Sequence, residues 1–491
     1  MPHFPDLSSL TYHENVIELE IAETPSVAAV TAALAGSIGA GLAGLSVSEQ
    51  GASFDPVFSV LSELERNGEV VAVSPLGARK KKAAQVSEGA IGLAAAFGKA
   101  AFRKLTNQRL GAERSVSMLL TLKDDRRIDK VIDALRKDRS VVSASRVPIR
   151  YLCATGPAAV PPIDAQWHLA RIEWDAARKS RRWPDTAGVK VGVLDTGLDF
   201  EHPDIAVPRS RSVWTYPGQS VPTSEKDFHG HGTHVAGVVA ALGAGPVRVT
   251  GIVPCELRAW KIFSDRPTYV PEFGQFVYLV DPDMYLNALI DAAEAGMDAI
   301  NLSIGGGAPP SPREAAAFSE LAAAGCTVVA AMGNERAHGS PTSYPAAIGG
   351  VVAVGATGPR DEVANFSNRG PHISISAPGV GIWSTLPTYP GQTGFEAVPK
   401  PGGQVAQGKP IWRETEYADW DGTSMATPIV AGAAAIAVAR LRIAGKGTDP
   451  ASVRALLVQA VDKPAAMKGQ PFTQDHGFGR INLRKLVEMT I

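Results

Sequence analysis

The sequence predicts an α/β fold, a mostly parallel sheet covered by helices, with a smaller α+β region in front of it. Three observations predict this. Beyond residue 165, apolar runs of strand length alternate with helical segments, the pattern of crossover connections in a parallel sheet. Before residue 155, residues 16–22 alternate apolar and polar as a strand does, and residues 116–147 read as β-α-β. Between the two lies Thr155-Gly-Pro-Ala-Ala-Val-Pro-Pro162, whose paired prolines favour extended, solvated chain.

Taken in order, the first block reads as strand over 16–22, helix over 26–35, helix over 56–66 and strand over 69–73. The second opens on Arg79-Lys80-Lys81-Lys82 and an alanine-rich helix, then gives strand 116–122, helix 126–137 and strand 141–147. Past the linker, strands are expected over 189–194, 257–262, 299–303, 327–331 and 351–356. Helices are expected over 231–242, 284–295 and 314–324. Residues 388–412, rich in Gly, Pro and Gln, read as a long surface insertion. The expected organisation is an acidic α+β unit over 1–76, a basic region over 77–154, a linker over 155–165 and a main domain over 166–491.

Composition narrows the function classes. A chain of 491 residues exceeds what one core serves, and 45% hydrophobic with 20% charged residues is ordinary globular composition. The net charge of −1 gives no global positive field, so nucleic acid is not an expected partner. That balance hides two opposed blocks: one basic residue against ten acidic over 1–75, and eighteen basic against seven acidic over 76–150. Such blocks suggest packing against each other or onto an oppositely charged surface, the alternative being two solvated faces. Cys153, Cys255 and Cys326 are odd in number and far apart, so they read as free thiols. The chain starts without a basic segment of signal-peptide type. The uncharged stretch 26–47 is mostly Ala and Gly, read as helix plus turn and not as a membrane span. With few cysteines and no leader pattern, a cytoplasmic location is expected, leaderless export being the alternative. Gly39-x-Gly41-x-x-Gly44 fits a dinucleotide fingerprint formally, but lacks the strand-turn-helix context that would give it meaning.

Candidate chemistry sits in four places. Lys190-Val-Gly-Val-Leu-Asp195-Thr-Gly197 ends a buried strand on a carboxylate, which alone reads equally as a turn cap. Asp227-Phe-His229-Gly-His231-Gly-Thr-His234 opens a helix with three histidines. Zinc is one explanation, since His-x-His-x-x-His resembles half a metallohydrolase site, but Thr233 stands where that pattern needs Asp. Asp421-Gly-Thr-Ser424-Met-Ala-Thr-Pro428 puts a hydroxyl at a helix N-terminus, where the outward amide favours a developing negative oxygen; Pro428 is placed in the first turn. Ala331-Met-Gly333-Asn334-Glu335 follows a strand.

In order and residue by residue, these segments resemble those of the subtilisin-like serine proteases, with spacings of 36 residues from Asp195 to His231 and 193 from His231 to Ser424. The resemblance covers residues 166–483 and implies a subtilisin-like three-layer fold and endopeptidase activity. It implies Ser424 as nucleophile, His231 as proton carrier, Asp195 as its orienting carboxylate and Asn334 as oxyanion donor. Asn301-Leu-Ser303-Ile304-Gly305-Gly306 resembles the strand and turn on which such enzymes pair an extended substrate. The chemistry implied needs no cofactor; structural calcium is common in the family, and no ligands for it can be assigned from the sequence. The stretch 116–149 resembles the end of the family's inhibitory propeptide, with processing expected near 150–163. The N-terminal region would then serve as the enzyme's own inhibitor or folding chaperone. An unrelated adaptor domain is the alternative there, as is a protein-binding module on an inactive scaffold for the whole. Trp420, Asp421 and Met332 depart from the family's usual residues.

Overall fold

The computed structural model describes residues 10–22, 70–75, 115–123, 125–138, 141–153, 165–205, 226–244 and 249–491. The helices expected over 26–35 and 56–66, the lysine-rich run, the glycine triplet and the proline-rich linker lie outside the described residues. The chain divides into two units, one of residues 13–147 with 311–313, the other of 1–12, 148–310 and 314–491.

In the smaller unit β1 (Tyr12–Ala22), β2 (Val70–Pro75), β3 (Ser115–Leu122) and β4 (Val141–Pro148) form one sheet in the order β2-β3-β1-β4. Ile17, Leu19 and Ile21 are buried at the period of two that a strand dictates. Helix α1 (Ile128–Arg136) buries Ile128, Val131, Ile132 and Leu135, the stripe that a period of 3.6 produces. Strand β1 comes from the acidic block and β3 from the basic one, yet they pair antiparallel from Val16↔Thr121 to Ala22↔Ser115. The division expected at 76/77 therefore cuts through a single sheet, and the unit boundary falls at 147/148 instead of in the linker. Strand pairing over so long a separation leaves no local mark in sequence.

The larger unit begins with the short strand β5 (Tyr151–Leu152) and helices α2 (Trp167–Arg171) and α3 (Trp174–Lys179). There follow β6 (Lys190–Asp195), α4 (His231–Ala240), β7 (Glu256–Lys261), β8 (Thr268–Val270), β9 (Gln275–Val277), α5 (Pro282–Glu294), β10 (Ala299–Leu302), β11 (Ile304–Gly305) and α6 (Pro312–Ala323). Next come β12 (Thr327–Ala331), β13 (Val352–Thr357), β14 (Ile375–Pro378), β15 (Ile382–Thr385), β16 (Gln392–Pro399), β17 (Val405–Trp412) and β18 (Tyr417–Trp420). Helices α7 (Thr423–Ile443) and α8 (Pro450–Gln459), strands β19 (Val461–Asp462) and β20 (Arg480–Ile481), and helix α9 (Leu483–Glu488) complete it.

Eight strands form the central sheet in the order β19-β20-β14-β13-β12-β10-β6-β7, parallel except for the β19–β20 edge pair. Alternation along each strand separates two cores. Val191, Val193, Ala299 and Val329 face one with α4, α7 and α8, while Leu194, Ile300, Leu302, Val328 and Ala330 face the other with α5 and α6. Three layers follow from that alternation. Helix α7 is, among the described residues, the one helix long and apolar enough to cross a membrane, and it lies buried in the first core.

Residues 388–412 are not an irregular loop. Strands β16 and β17 form a hairpin turning at Gly402 and Gly403, whose φ of +83° and +79° suit glycine, and β16 also pairs with β9. Gly, Pro and Gln obscured the strands, and their partner lies far upstream.

Gly432 in α7 shows how close the first core packs: a Cβ there would sit 2.6 Å from Ile252 Cγ2 and 2.7 Å from its Cβ. Replacing glycine within a helix by alanine gains about 1 kcal/mol of propensity, but overpacking costs roughly 1–3 kcal/mol. Gly432→Ala is expected to lower the thermal unfolding midpoint in calorimetry; a raised midpoint would mean that Ile252 yields freely.

Candidate functional site

Strand β6 has β7 on one side and β10 on the other, so successive connections leave it in opposite directions and open a crevice at the carboxyl ends of β6 and β10. Asp195 closes β6 and Ser303 follows β10, which places both at that crevice.

His231 opens α4 beside it. Its Nδ1 and Asp195 Oδ1 are 2.7 Å apart with both side chains buried, and the Thr196 amide donates to the same oxygen at 2.7 Å. The pair is fixed by Asp227, a carboxylate to which the sequence reading gave no role. Its oxygens accept from Thr196 Oγ1, the Gly230 amide and both the amide and hydroxyl of Thr233, at 2.7–2.8 Å, joining the Asp195 loop to the first turn of α4. Burial pushes the Asp227 carboxyl up, but Arg413 and the Thr196 and Thr233 hydrogen bonds outweigh it and hold it below the usual carboxylate range. An Asp three residues ahead of Gly230 was the available signal. Contact is also close: a Cβ on Gly232 would lie 2.1 Å from the Gly197 carbonyl.

The other two histidines of the motif are structural. His234 stacks on Trp420 with ring centroids 5.2 Å apart and its Nε2 lies 3.2 Å from the Ala418 carbonyl oxygen; His229 meets Trp420 edge-on. Among the described residues no group of three or more His, Cys, Asp or Glu side chains gathers as a metal site, so the three histidines do not form the zinc half-site. Trp420 is the wall against which all three imidazoles rest.

Ser424 is the second residue of α7. Gly422 before it has φ 156° and ψ 157°, a backbone region reserved for glycine. Pro428 is not in the first turn. It stands four residues after Ser424, where its missing N–H leaves the Ser424 carbonyl out of the helical ladder, and the Ser303 hydroxyl donates to that carbonyl at 2.8 Å. The Asn301 side-chain amide donates to Ser303 Oγ in turn. Asn334 Oδ1 accepts from the Thr423 amide and hydroxyl at 3.0 and 2.9 Å, which leaves its buried Nδ2 without a partner. Buried His231 Nε2 is also unpartnered. The Ser424 hydroxyl does not bond to it, donating instead to the Ser303 carbonyl at 2.8 Å. The structure thus joins Asp195 to His231 and Asn334 to the start of α7, while the Ser424–His231 hydrogen bond is not made.

The cleft holds a strand of the chain itself. Tyr151 and Leu152 pair antiparallel with Gly305 and Ile304, the Cys153 amide donates to the Ser303 carbonyl at 3.4 Å, and the Val280 amide donates to the Arg150 carbonyl at 3.2 Å. At its end the Cys153 carbonyl accepts from the Ser424 amide at 3.1 Å. A Cβ on Gly305 would lie 2.7 Å from Cys153 Sγ, and one on Gly306 would lie 2.3 Å from the Ile149 carbonyl oxygen, so both glycines make room for this strand. The propeptide resemblance of residues 116–149 implies a C-terminal strand led into the cleft, and residues 150–153 lie there.

The model of the subtilase family of peptidases matches residues 186–480. Subtilisin BL of Lederbergia lenta is 38% identical over 272 residues, 55% of this chain and 82% of the relative. The chain belongs to the subtilase family. An alkaline protease of Shouchella clausii is likewise 38% identical, the match spanning 58% of that protein, and subtilisin E of Bacillus subtilis is 32% identical. The crystal structure of fervidolysin from Fervidobacterium pennivorans, a keratinolytic enzyme related to subtilisin, shares the fold with a TM-score of 0.59 and 20% identity, covering 99% of this chain and 63% of that one. This subtilase is a serine endopeptidase acting on protein substrates, and subtilisins need no cofactor for catalysis. Calcium binding is common in the family.

The expected cytoplasmic location is overturned by these relatives, since subtilisin homologues are typically secreted, extracellular enzymes. Few cysteines carry no compartment signal in a chain large enough to bury its own core without disulfides. Cys153, Cys255 and Cys326 are free thiols, and burial pushes Cys255 up to about 12.

Burial holds His168, His229 and His234 neutral, each pushed down to about 3. Unfolded histidine binds its proton near 6.5, so between roughly pH 6.5 and 3 the unfolded chain carries more protons than the folded one. The stability these groups contribute is present above about pH 6.5 and is lost as pH falls toward 3. Urea unfolding at pH 7, 6 and 5 is expected to show falling midpoints, with a slope of up to about two protons taken up on unfolding, since Asp283, which burial pushes up to about 7, releases one over the same range. His234→Phe, which keeps a ring on Trp420, should reduce that slope by about one proton; an unchanged slope would contradict the assignment.

Proposed function

We propose that the chain is a self-inhibited precursor whose serine endopeptidase site cuts its own Cys153–Ala154 bond, with Ser424 as nucleophile, His231 as general base and acid, Asp195 as orienting carboxylate and Asn334 as oxyanion donor. The observation that carries this reading is the Cys153 carbonyl resting on the Ser424 amide while Tyr151 and Leu152 add as a strand to Ile304 and Gly305. A substrate backbone held this way presents its carbonyl carbon to the Ser424 side chain.

For reaction, the Ser424 hydroxyl turns about its Cα–Cβ bond from the Ser303 carbonyl toward His231 Nε2, the buried atom that lacks a partner. The Oγ–carbon bond forms as the hydroxyl proton passes to His231. The former carbonyl oxygen, now negative, is held by the Ser424 amide and by Asn334 Nδ2, whose other end Thr423 has already fixed. The carbon–nitrogen bond breaks as His231 returns the proton to the Ala154 amine, and water then releases Cys153 as a carboxylate. Asp195, bonded to Nδ1, stabilises the imidazolium between these steps. Ser303, Ile304, Gly305 and Gly306 would bind substrate through backbone and lack of side-chain bulk, the Ser303 hydroxyl being engaged elsewhere. Residues 13–147, continuous with the cleft strand, serve in this reading as the inhibitor or folding chaperone that delivers it.

Intact-mass analysis is expected to show wild type cut after Cys153, with a new chain beginning at Ala154, and Ser424→Ala full-length. A fluorophosphonate should label the wild type at Ser424 and leave Ser424→Ala unlabelled. Cleavage of the Ser424→Ala protein when purified alone, or cleavage elsewhere in the wild type, would overturn this reading. Asn334→Ala is expected to lower kcat by roughly 10²–10³, the loss of one such donor in a subtilisin, with little change in KM. Retained kcat with raised KM would assign Asn334 to binding.

A further inference from the structure

The side chain three residues before Cys153 is an arginine that is almost completely buried, although a substrate strand at this position carries a residue that must change with every protein cut. Arg150 is 1% exposed and Glu314 3%. Its Nε and Nη2 donate to the two oxygens of Glu314 at 3.2 and 2.8 Å, and Nη1 donates to the Ala308 carbonyl at 3.0 Å and the Ile149 carbonyl at 3.2 Å. The Tyr285 hydroxyl donates to Glu314 Oε1 at 3.0 Å, and burial, then the Glu314 charge, push that phenol well above its usual range. Gly306 keeps the entrance open: a Cβ there would come within 3.0 Å of Arg150 Nη1.

Glu314 belongs to the larger unit and stays when the cleft strand leaves. Without Arg150 its carboxylate keeps the Tyr285 hydroxyl but loses the fork of guanidinium donors in a buried setting. The two carboxylate oxygens are placed to take a planar two-pronged donor, which matches them better than an ammonium.

We propose that Glu314, Tyr285 and the Ala308 carbonyl form a specificity pocket that selects arginine as the fourth residue on the N-terminal side of the bond cut in protein substrates. The inference rests on the reading of Cys153 as the residue whose carbonyl is attacked. Arg150 is then the pocket's first occupant, and the proteins cleaved are those that present Arg-x-x-x at the scissile bond in an extended segment.

The test uses purified wild-type protein and internally quenched peptides of sequence Ile-X-Tyr-Leu-Cys-Ala-Thr, taken from residues 149–155, with X as Arg, Lys, norleucine or Glu. Arg is expected to exceed norleucine by about 10²-fold in kcat/KM, the scale of a desolvated charge pair, with Lys between them and Glu lowest. In Glu314→Gln the Arg-to-norleucine ratio should fall below about 10. The wild-type series alone decides the matter if that variant fails to fold. Ratios within two-fold in a protein that a fluorophosphonate labels would overturn the pocket and leave the protease site standing, as would labelled protein that cuts none of the peptides. Protein that neither labels nor cuts any peptide would overturn the site and the pocket together.

Discussion

The site is held by the tie between the end of β10 and the start of α7, where the Ser303 hydroxyl donates to the Ser424 carbonyl. Pro428 makes that tie available by denying the carbonyl its helical partner, and Asn301 aims the hydroxyl from within the strand. With the first turn of α7 pinned to the sheet, the Ser424 amide points into the cleft and Thr423 can hold Asn334 by one face of its side-chain amide. A proline deep in a helix ordinarily costs stability. Here the unpaired carbonyl is buried and bonded, so the cost is offset by a hydroxyl that also sets direction.

The second constraint is an edge. Strand β11 has two residues, and antiparallel partners for them come from residues 151–152, with the Val280 backbone gripping the same segment at Arg150. Main-chain pairing of this kind accepts any extended sequence, so discrimination must come from side-chain pockets. The cleft offers two contrasting ones. Beside Cys153 the space is shaped by the absence of a side chain at Gly305 and by Ser343, whereas beneath Arg150 it is shaped by a charge. Shape alone rejects bulk gradually, and a buried charge rejects the wrong partner steeply.

Much of this was legible in the sequence, for reasons of periodicity and local chemistry. Parallel strands buried on both faces show as apolar runs, and α1 shows its stripe of Ile128, Val131, Ile132 and Leu135. Asp195, His231, Asn334 and Ser424 were singled out because the four segments around them resemble, in order, those of a known family; alone, a strand-end Asp or a serine at a helix start reads equally as a turn or a cap. Features made by distant pairing were not legible. The single sheet formed by β1 and β3, the β16–β17 hairpin and the Arg150–Glu314 pair all join segments whose own residues carry no sign of the partner. The orientation of the Ser424 hydroxyl is a rotamer, which sequence does not encode. Asp227 lay between the two extremes, within a recognised motif but with its four donors dispersed over Thr196, Gly230 and Thr233.

The histidine cluster shows why crowding imidazoles beside His231 is compatible with the proposed chemistry. A proton arriving on His231 creates a cation, and any imidazolium nearby would oppose it. His229 lies with its ring centroid 6.1 Å from that of His231, and His234 shares the Trp420 wall. Burial, to which that indole contributes, keeps both neutral at neutral pH, since they are pushed down to about 3. Trp420 therefore removes charge from the neighbourhood by excluding water, and the carboxylate of Asp195 is left as the ion in hydrogen-bonding contact with His231. An aromatic residue thus fits the proposed reaction through electrostatics: it contributes no polar group, and it helps prevent two others from becoming charged.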